Sequence, residues 1–106
     1  MDDKNLEAIM GLIMNSGNAK SDSMEAIQAA KQGEFEKADA KMTDAEESLV
    51  KAHQSQTSLL TKEAQGESIE LTLLTVHSQD HLMTSIAFKD LAKEIIDVYR
   101  RMDVEK

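Results

Sequence analysis

The chain has 106 residues, enough for one domain with a modest core and no room for a second. Twelve basic against twenty acidic side chains give a net charge of −8, with one Tyr, two Phe and no Trp. That balance argues against nucleic acid, which needs basic patches and stacking platforms, and against adhesion to an anionic membrane; it suits a partner with a positive rim. Without cysteine there is no disulfide, thiolate metal site or cysteine nucleophile. The polar start, Met1-Asp2-Asp3-Lys4-Asn5, is no secretory signal and no apolar run reaches membrane-spanning length, so the expectation is a soluble cytoplasmic protein with no direct membrane insertion.

Proline is absent, and Ala, Leu, Met, Glu, Lys and Gln are abundant, which predicts an all-α chain. Gly33 and Gly66 each follow a long helix-periodic segment and stand where left-handed caps are expected. Helices are therefore predicted over about 3–32, 34–64 and 68–103, within a single domain spanning 1–106. Short turns between them force an antiparallel up-down-up three-helix bundle.

The first helix offers a seam of Leu6, Met10, Ile13, Gly17, Met24 and Ile27. Gly11 and Gly17 fall inside it, each costing on the order of 1 kcal/mol against alanine, and close approach of another backbone is the expected reason. The second helix has the cleanest pattern: Phe35, Ala38, Met42, Ala45, Leu49, Ala52, Gln56 and Leu59 step by three and four. Gln56 is its one polar member, and His53 flanks it as a half-exposed packing residue.

The third helix, with Ser68 as its expected N-cap, carries His77-Ser78-Gln79-Asp80-His81. Four residues is just over one turn, so both imidazoles share a side, continued by Thr84, Phe88, Leu91, Ile95 and Met102 as an expected buried seam. Leu82, Ile86 and Ile96 lie well round the cylinder, and an apolar arc this wide predicts a second interface through self-association.

Histidine exchanges protons, metals and phosphoryl groups near neutral pH. One reading is a helical metal-binding protein using the His77/His81 pair; the spacing is that of a zinc-binding helix. Ser78 stands where a metalloprotease needs its glutamate, and a third ligand would have to be Asp80 or His53. A second reading is a structural coiled-coil adaptor in which the histidines only satisfy hydrogen bonds, although two buried polar groups would cost about 1–3 kcal/mol each if unpaired. The third makes His77 a nucleophile towards phosphorus, attacking as the neutral imidazole with its other nitrogen fixed by a hydrogen bond. His81 and Gln56 would donate to the phosphoryl oxygens, with Thr84, Ser78 and Thr57 as further candidates. No glycine-rich phosphate loop is present, so no nucleotide site is expected.

The run Thr75-Val76-His77-Ser78-Gln79-Asp80-His81-Leu82-Met83-Thr84 resembles the active-site helix of the lactose/cellobiose-type enzyme IIA components of the bacterial phosphoenolpyruvate-dependent sugar phosphotransferase system. Ala52-His53-Gln54-Ser55-Gln56-Thr57 resembles that family's second-helix signature, and Ala29-Ala30-Lys31-Gln32-Gly33-Glu34-Phe35 with Ala38-Asp39 its first turn. The resemblance implies a homotrimer of three-helix subunits. It implies that His77 takes a phosphoryl group from the general histidine phosphocarrier protein and gives it to a cysteine of the cognate enzyme IIB, which serves the membrane enzyme IIC. By position His81 and Gln56 lie near the phosphoryl group. The resemblance further implies that Asp80 meets its symmetry copies on the trimer axis, around one divalent cation, Mg2+, per trimer. Three carboxylates on an axis repel, and an oxygen-loving cation would neutralise them.

Overall fold

The structure, a computed structural model, describes residues 2–105; Met1 and Lys106 of the expected domain lie outside the described residues. Three helices follow in order: α1 (Asp3–Lys31), α2 (Phe35–Ala64) and α3 (Leu73–Val104). They form an antiparallel up-down-up bundle about 58 × 21 × 16 Å across. No helix among the described residues is long and apolar enough to cross a membrane.

Local chemistry sets the ends. Asp2 accepts a hydrogen bond from the Lys4 amide at 2.8 Å and opens α1. The α1–α2 turn closes with Gly33 at φ +80°: the Gly33 amide donates to the Ala30 carbonyl and the Glu34 amide to that of Ala29. Gly66, at φ +90°, repeats the motif on Glu63 and Lys62. Both predicted glycine stops are therefore real.

The start of α3 differs from the expectation. Ser68 lies in an irregular segment and Thr72 is the N-cap, its hydroxyl accepting from the Thr75 amide at 3.1 Å. Thr75 in turn donates its own hydroxyl to the Glu70 carbonyl at 3.0 Å. Ile69 packs against the core, which holds the segment across the bundle end instead of letting it wind into helix.

α1 lies between the other two helices and carries most of the interhelical contact, while α2 and α3 touch sparsely. One core cluster comprises Ile9, Leu12, Ala19, Ala45, Leu49, Ala52, Leu59 and Leu82; a second, at the other end, comprises Ala26, Ala29, Ala30, Ala38 and Ile96. The α2 seam is as expected, with Ala38, Ala45, Leu49, Ala52 and Leu59 buried. α1 turns a shifted face inward: Asn5, Ile9, Leu12, Ser16, Ala19, Ser23 and Ala26 are buried and Ile13 and Ile27 of the expected seam pack partly buried against the core, whereas Leu6, Met10 and Met24 are exposed.

α3 reverses the expectation in the same way. Leu82 and Ile96 are buried within the chain with Thr75, Ser78, Ser85 and Ala92, while Leu91 is 64% and Ile95 41% exposed and Met102 also faces out. The expected seam is the outer stripe, and the residues assigned to self-association belong to the subunit's own core. Three long helices approach closely only where side chains are small, and Ala and Ser line the inward faces of α1 and α3.

Ion pairs tie the turn end together. Lys41 of α2 meets Glu25 at 2.9 Å, and Arg100 of α3 pairs with Asp39 while lying 5.1 Å from the Phe35 ring centroid.

Candidate functional site

Four residues of helix place His77 and His81 one above the other on the outer stripe of α3. Their ring centroids are 5.6 Å apart and their planes 9° from parallel. His77 is exposed and His81 half-buried. α1 supplies the wall behind them. A Cβ at Gly17 would stand 3.5 Å from His81 Nε2, so this glycine is where α1 passes the imidazole. The Lys20 ammonium, one turn further along α1, lies 5.9 Å from the Phe88 ring centroid.

The mid-helix glycines thus face side chains, and not another backbone as expected: at Gly11 a Cβ would come 3.2 Å from Ser55 Oγ. At Gly17 the 3.5 Å separation is ordinary contact, so Gly17→Ala is expected to stabilise the protein by about 0.5–1 kcal/mol through helix propensity. Gly17→Leu should displace the His81 ring. Urea denaturation of the first and the histidine NMR shifts of the second check these two outcomes.

Burial lowers the pKa of His81 from its ordinary value of 6.5; charge on His77 and on Lys20 acts in the same direction, and Asp80 opposes them. His81 is therefore a neutral ring with a single N–H at neutral pH. The sign for stability follows from the lowered folded pKa. Above 6.5 the ring is neutral folded and unfolded; as pH falls through 6.5 the unfolded chain takes the proton first and stability declines towards the folded pKa. The urea midpoint should fall between about pH 7.5 and about pH 5.5, and His81→Gln should remove this part of the fall.

The remaining sequence candidates are placed as follows. Neither imidazole has a hydrogen-bond partner among the described residues, so the tautomer-fixing bond expected for His77 is not made within one chain. Gln56 donates its amide to Gln79 Oε1 at 2.7 Å. Gln79 lies two residues past His77, roughly 200° around the cylinder, so Gln56 is held on the opposite face of α3 from His77. Ser78 is buried and donates to the Thr75 carbonyl at 2.6 Å, and Thr84 donates to the His81 carbonyl at 3.2 Å. Thr57 is exposed on α2. His53 is exposed in a shallow groove between α2 and α3 with Leu49, Val50 and Ile86. Asp80 is exposed beside the pair. Lys20 is the neighbour to which the sequence assigned no role, while Gly17 and Phe88 had been placed only as a close approach and a seam residue. A glycine inside an otherwise strong helix was the one signal that α1 approaches something there.

The two parallel imidazoles thus stand at the surface of α3, His77 exposed and His81 half-buried with its pKa lowered. The family model described as "PTS system, Lactose/Cellobiose specific IIA subunit" covers residues 7–100. The chain belongs to this family. It is a sugar-specific enzyme IIA component, a phosphotransferase component of the phosphotransferase system. It is 46% identical over 106 residues to the lichenan-specific phosphotransferase enzyme IIA component of Bacillus subtilis (strain 168), covering 100% of this chain and 96% of the relative. It superposes on the crystal structure of the PTS cellobiose-specific enzyme IIA from Bacillus anthracis with a TM-score of 0.95 at 44% identity, covering 100% and 97% of the two chains. The IIA(Chitobiose) subunit, solved in complex with HPr from the N,N'-diacetylchitobiose branch of the Escherichia coli phosphotransferase system, superposes with a TM-score of 0.82. That pair is 37% identical, with coverage of 97% and 99%.

The expected divalent cation is overturned. This enzyme IIA family is one of phosphocarriers without a metal cofactor, and among the described residues no group of three or more His, Cys, Asp or Glu side chains could hold a metal ion. Asp80 is thus a lone exposed carboxylate and no metal ligand, and Mg2+ leaves the account. The metal-binding reading of the His77/His81 pair lacks support for the same reason: among the described residues no third side chain forms a metal-holding group with the two imidazoles.

Proposed function

We propose that this enzyme IIA is a cytoplasmic homotrimer of single-domain subunits that carries a phosphoryl group on His77. The group arrives from the phosphohistidine of the general phosphocarrier HPr and leaves for a cysteine of the cognate enzyme IIB, which serves the membrane enzyme IIC. The observation that carries this reading is the surface histidine pair: His77 exposed, with the His81 ring parallel to it at 5.6 Å. A neutral imidazole nitrogen attacks phosphorus in line, and the transfer needs mainly positioning and charge stabilisation. His81, neutral by burial, offers its N–H to a phosphoryl oxygen.

Gln56 enters the proposal differently from the expectation. Its amide is engaged by Gln79 across from His77, so within one chain it positions α3 against α2 where those two helices touch sparsely. Support for HPr as donor comes from the chitobiose relative, which was solved in complex with HPr. Support for the trimer comes from the outer stripe of α3, where Leu91, Ile95, Val98 and Met102 continue the line of His77 into solvent. The sugar touches enzyme IIC, and nothing in this chain need contact it.

Intact-protein mass spectrometry after incubation with phosphoenolpyruvate, enzyme I and HPr tests the reading. One acid-labile phosphoryl group per chain is expected. No gain while HPr itself is charged would remove the phosphocarrier function.

A further inference from the structure

A phosphoryl group on His77 brings negative charge into a chain already at −8, beside the exposed carboxylate of Asp80. Something positive near the pair would offset that repulsion. The described residues of α3 close to the pair supply none: Lys89, two turns beyond His81, is engaged by Asp90 at 3.0 Å. α1 does supply one. Gly17 brings the α1 backbone against His81, and Lys20, three residues on, shares that face of α1. No ion pair between Lys20 and a carboxylate is found among the described residues, in contrast to Lys41, which is held by Glu25. Its ammonium rests instead on the Phe88 ring at 5.9 Å, a contact that steadies the flexible stem without neutralising the charge.

Building on the phosphocarrier reading, we propose that Lys20 is the electrostatic positioning residue of the site, its ammonium steadied by Phe88 and balancing the phosphoryl charge at the His77/His81 pair. Lys20 takes no part in bond making or breaking. The P–N bond to the donor imidazole breaks as a P–N bond to His77 forms; the donor ring regains a proton as His77 gives one up, and the phosphoryl oxygens stay anionic. Lys20 contributes charge at all stages, which favours the anion over the empty site. The same charge opposes protonation of His81 and so keeps its ring in the neutral donor form.

The test compares wild type, Lys20→Met and Lys20→Arg. Each is charged by phosphorylated HPr in a rapid-quench assay, and the histidine titrations of the unphosphorylated proteins are followed by NMR. Lys20→Met should charge about ten-fold more slowly, the scale of removing one unit charge near a protein surface. It should also raise the His81 titration, and Lys20→Arg should restore both. Circular dichroism and sedimentation check that folding and assembly are unchanged, so a merely structural role would move neither readout. Wild-type charging with an unaltered rate in Lys20→Met overturns the role of Lys20 alone. Wild type that takes no phosphoryl group from charged HPr overturns the phosphocarrier reading and this role with it.

Discussion

Replacing His77 by alanine is expected to leave a folded helical protein that takes up no phosphoryl group from charged HPr. On the proposed mechanism the loss should be complete, because the substitution removes the atom that would form the bond. Stability should change by no more than about 0.5 kcal/mol, since His77 is exposed and makes no hydrogen bond among the described residues. Two measurements on the same sample separate chemistry from folding: the intact mass after charging, and the urea midpoint. His81→Ala, by contrast, should still be labelled, only more slowly, because it withdraws a donor and not the nucleophile. Measurable label on His77→Ala would move the acceptor to His81, or to His53 in its groove on the other side of the subunit.

The second large effect concerns assembly. Leu91→Glu combined with Ile95→Glu should convert the proposed trimer to monomers that remain helical. Both side chains are substantially exposed in the single subunit, at 64% and 41%, so the subunit's own core does not depend on them. In a trimer each would be buried in all three copies. At about 1.5–3 kcal/mol per buried aliphatic side chain, the loss is on the order of 10 kcal/mol per assembly. Sedimentation velocity reads the outcome directly. A double variant that still sediments as a trimer would place the subunit interface elsewhere. A monomeric wild type would remove the assembly.

The placement of the histidine pair was legible because it rests on local spacing. Two histidines four apart must share a helix face in any fold that keeps the helix, and they do. What stands around them was less legible. Gln56 reads as a neighbour of the histidines on any scheme that packs the α2 seam against the α3 seam. It ends against Gln79 because α3 is rotated so that a different stripe meets the core. The cation of the resemblance failed for a related reason: a metal needs several ligands in one place, and no such group stands among the described residues.

The sequence by itself determined three helices, the glycine stops after the first two and the composition of the α2 seam. These follow from terms that act within a few residues: absent proline, glycines able to take φ +80° and +90°, and one unbroken apolar period. Only the tertiary structure decided which face of α1 and α3 turns inward. Each of those helices carries two apolar stripes with the same helical period, so periodicity favours neither. Counting large aliphatic side chains selects Leu6, Met10 and Met24 on α1, and Leu91, Ile95 and Met102 on α3. The bundle instead buries the stripes rich in Ala and Ser, together with Ile9, Leu12, Leu82 and Ile96, because small side chains let long helices approach. The larger stripes are left outside, and His77 and His81 lie on one of them, at the surface where a phosphoryl donor can reach.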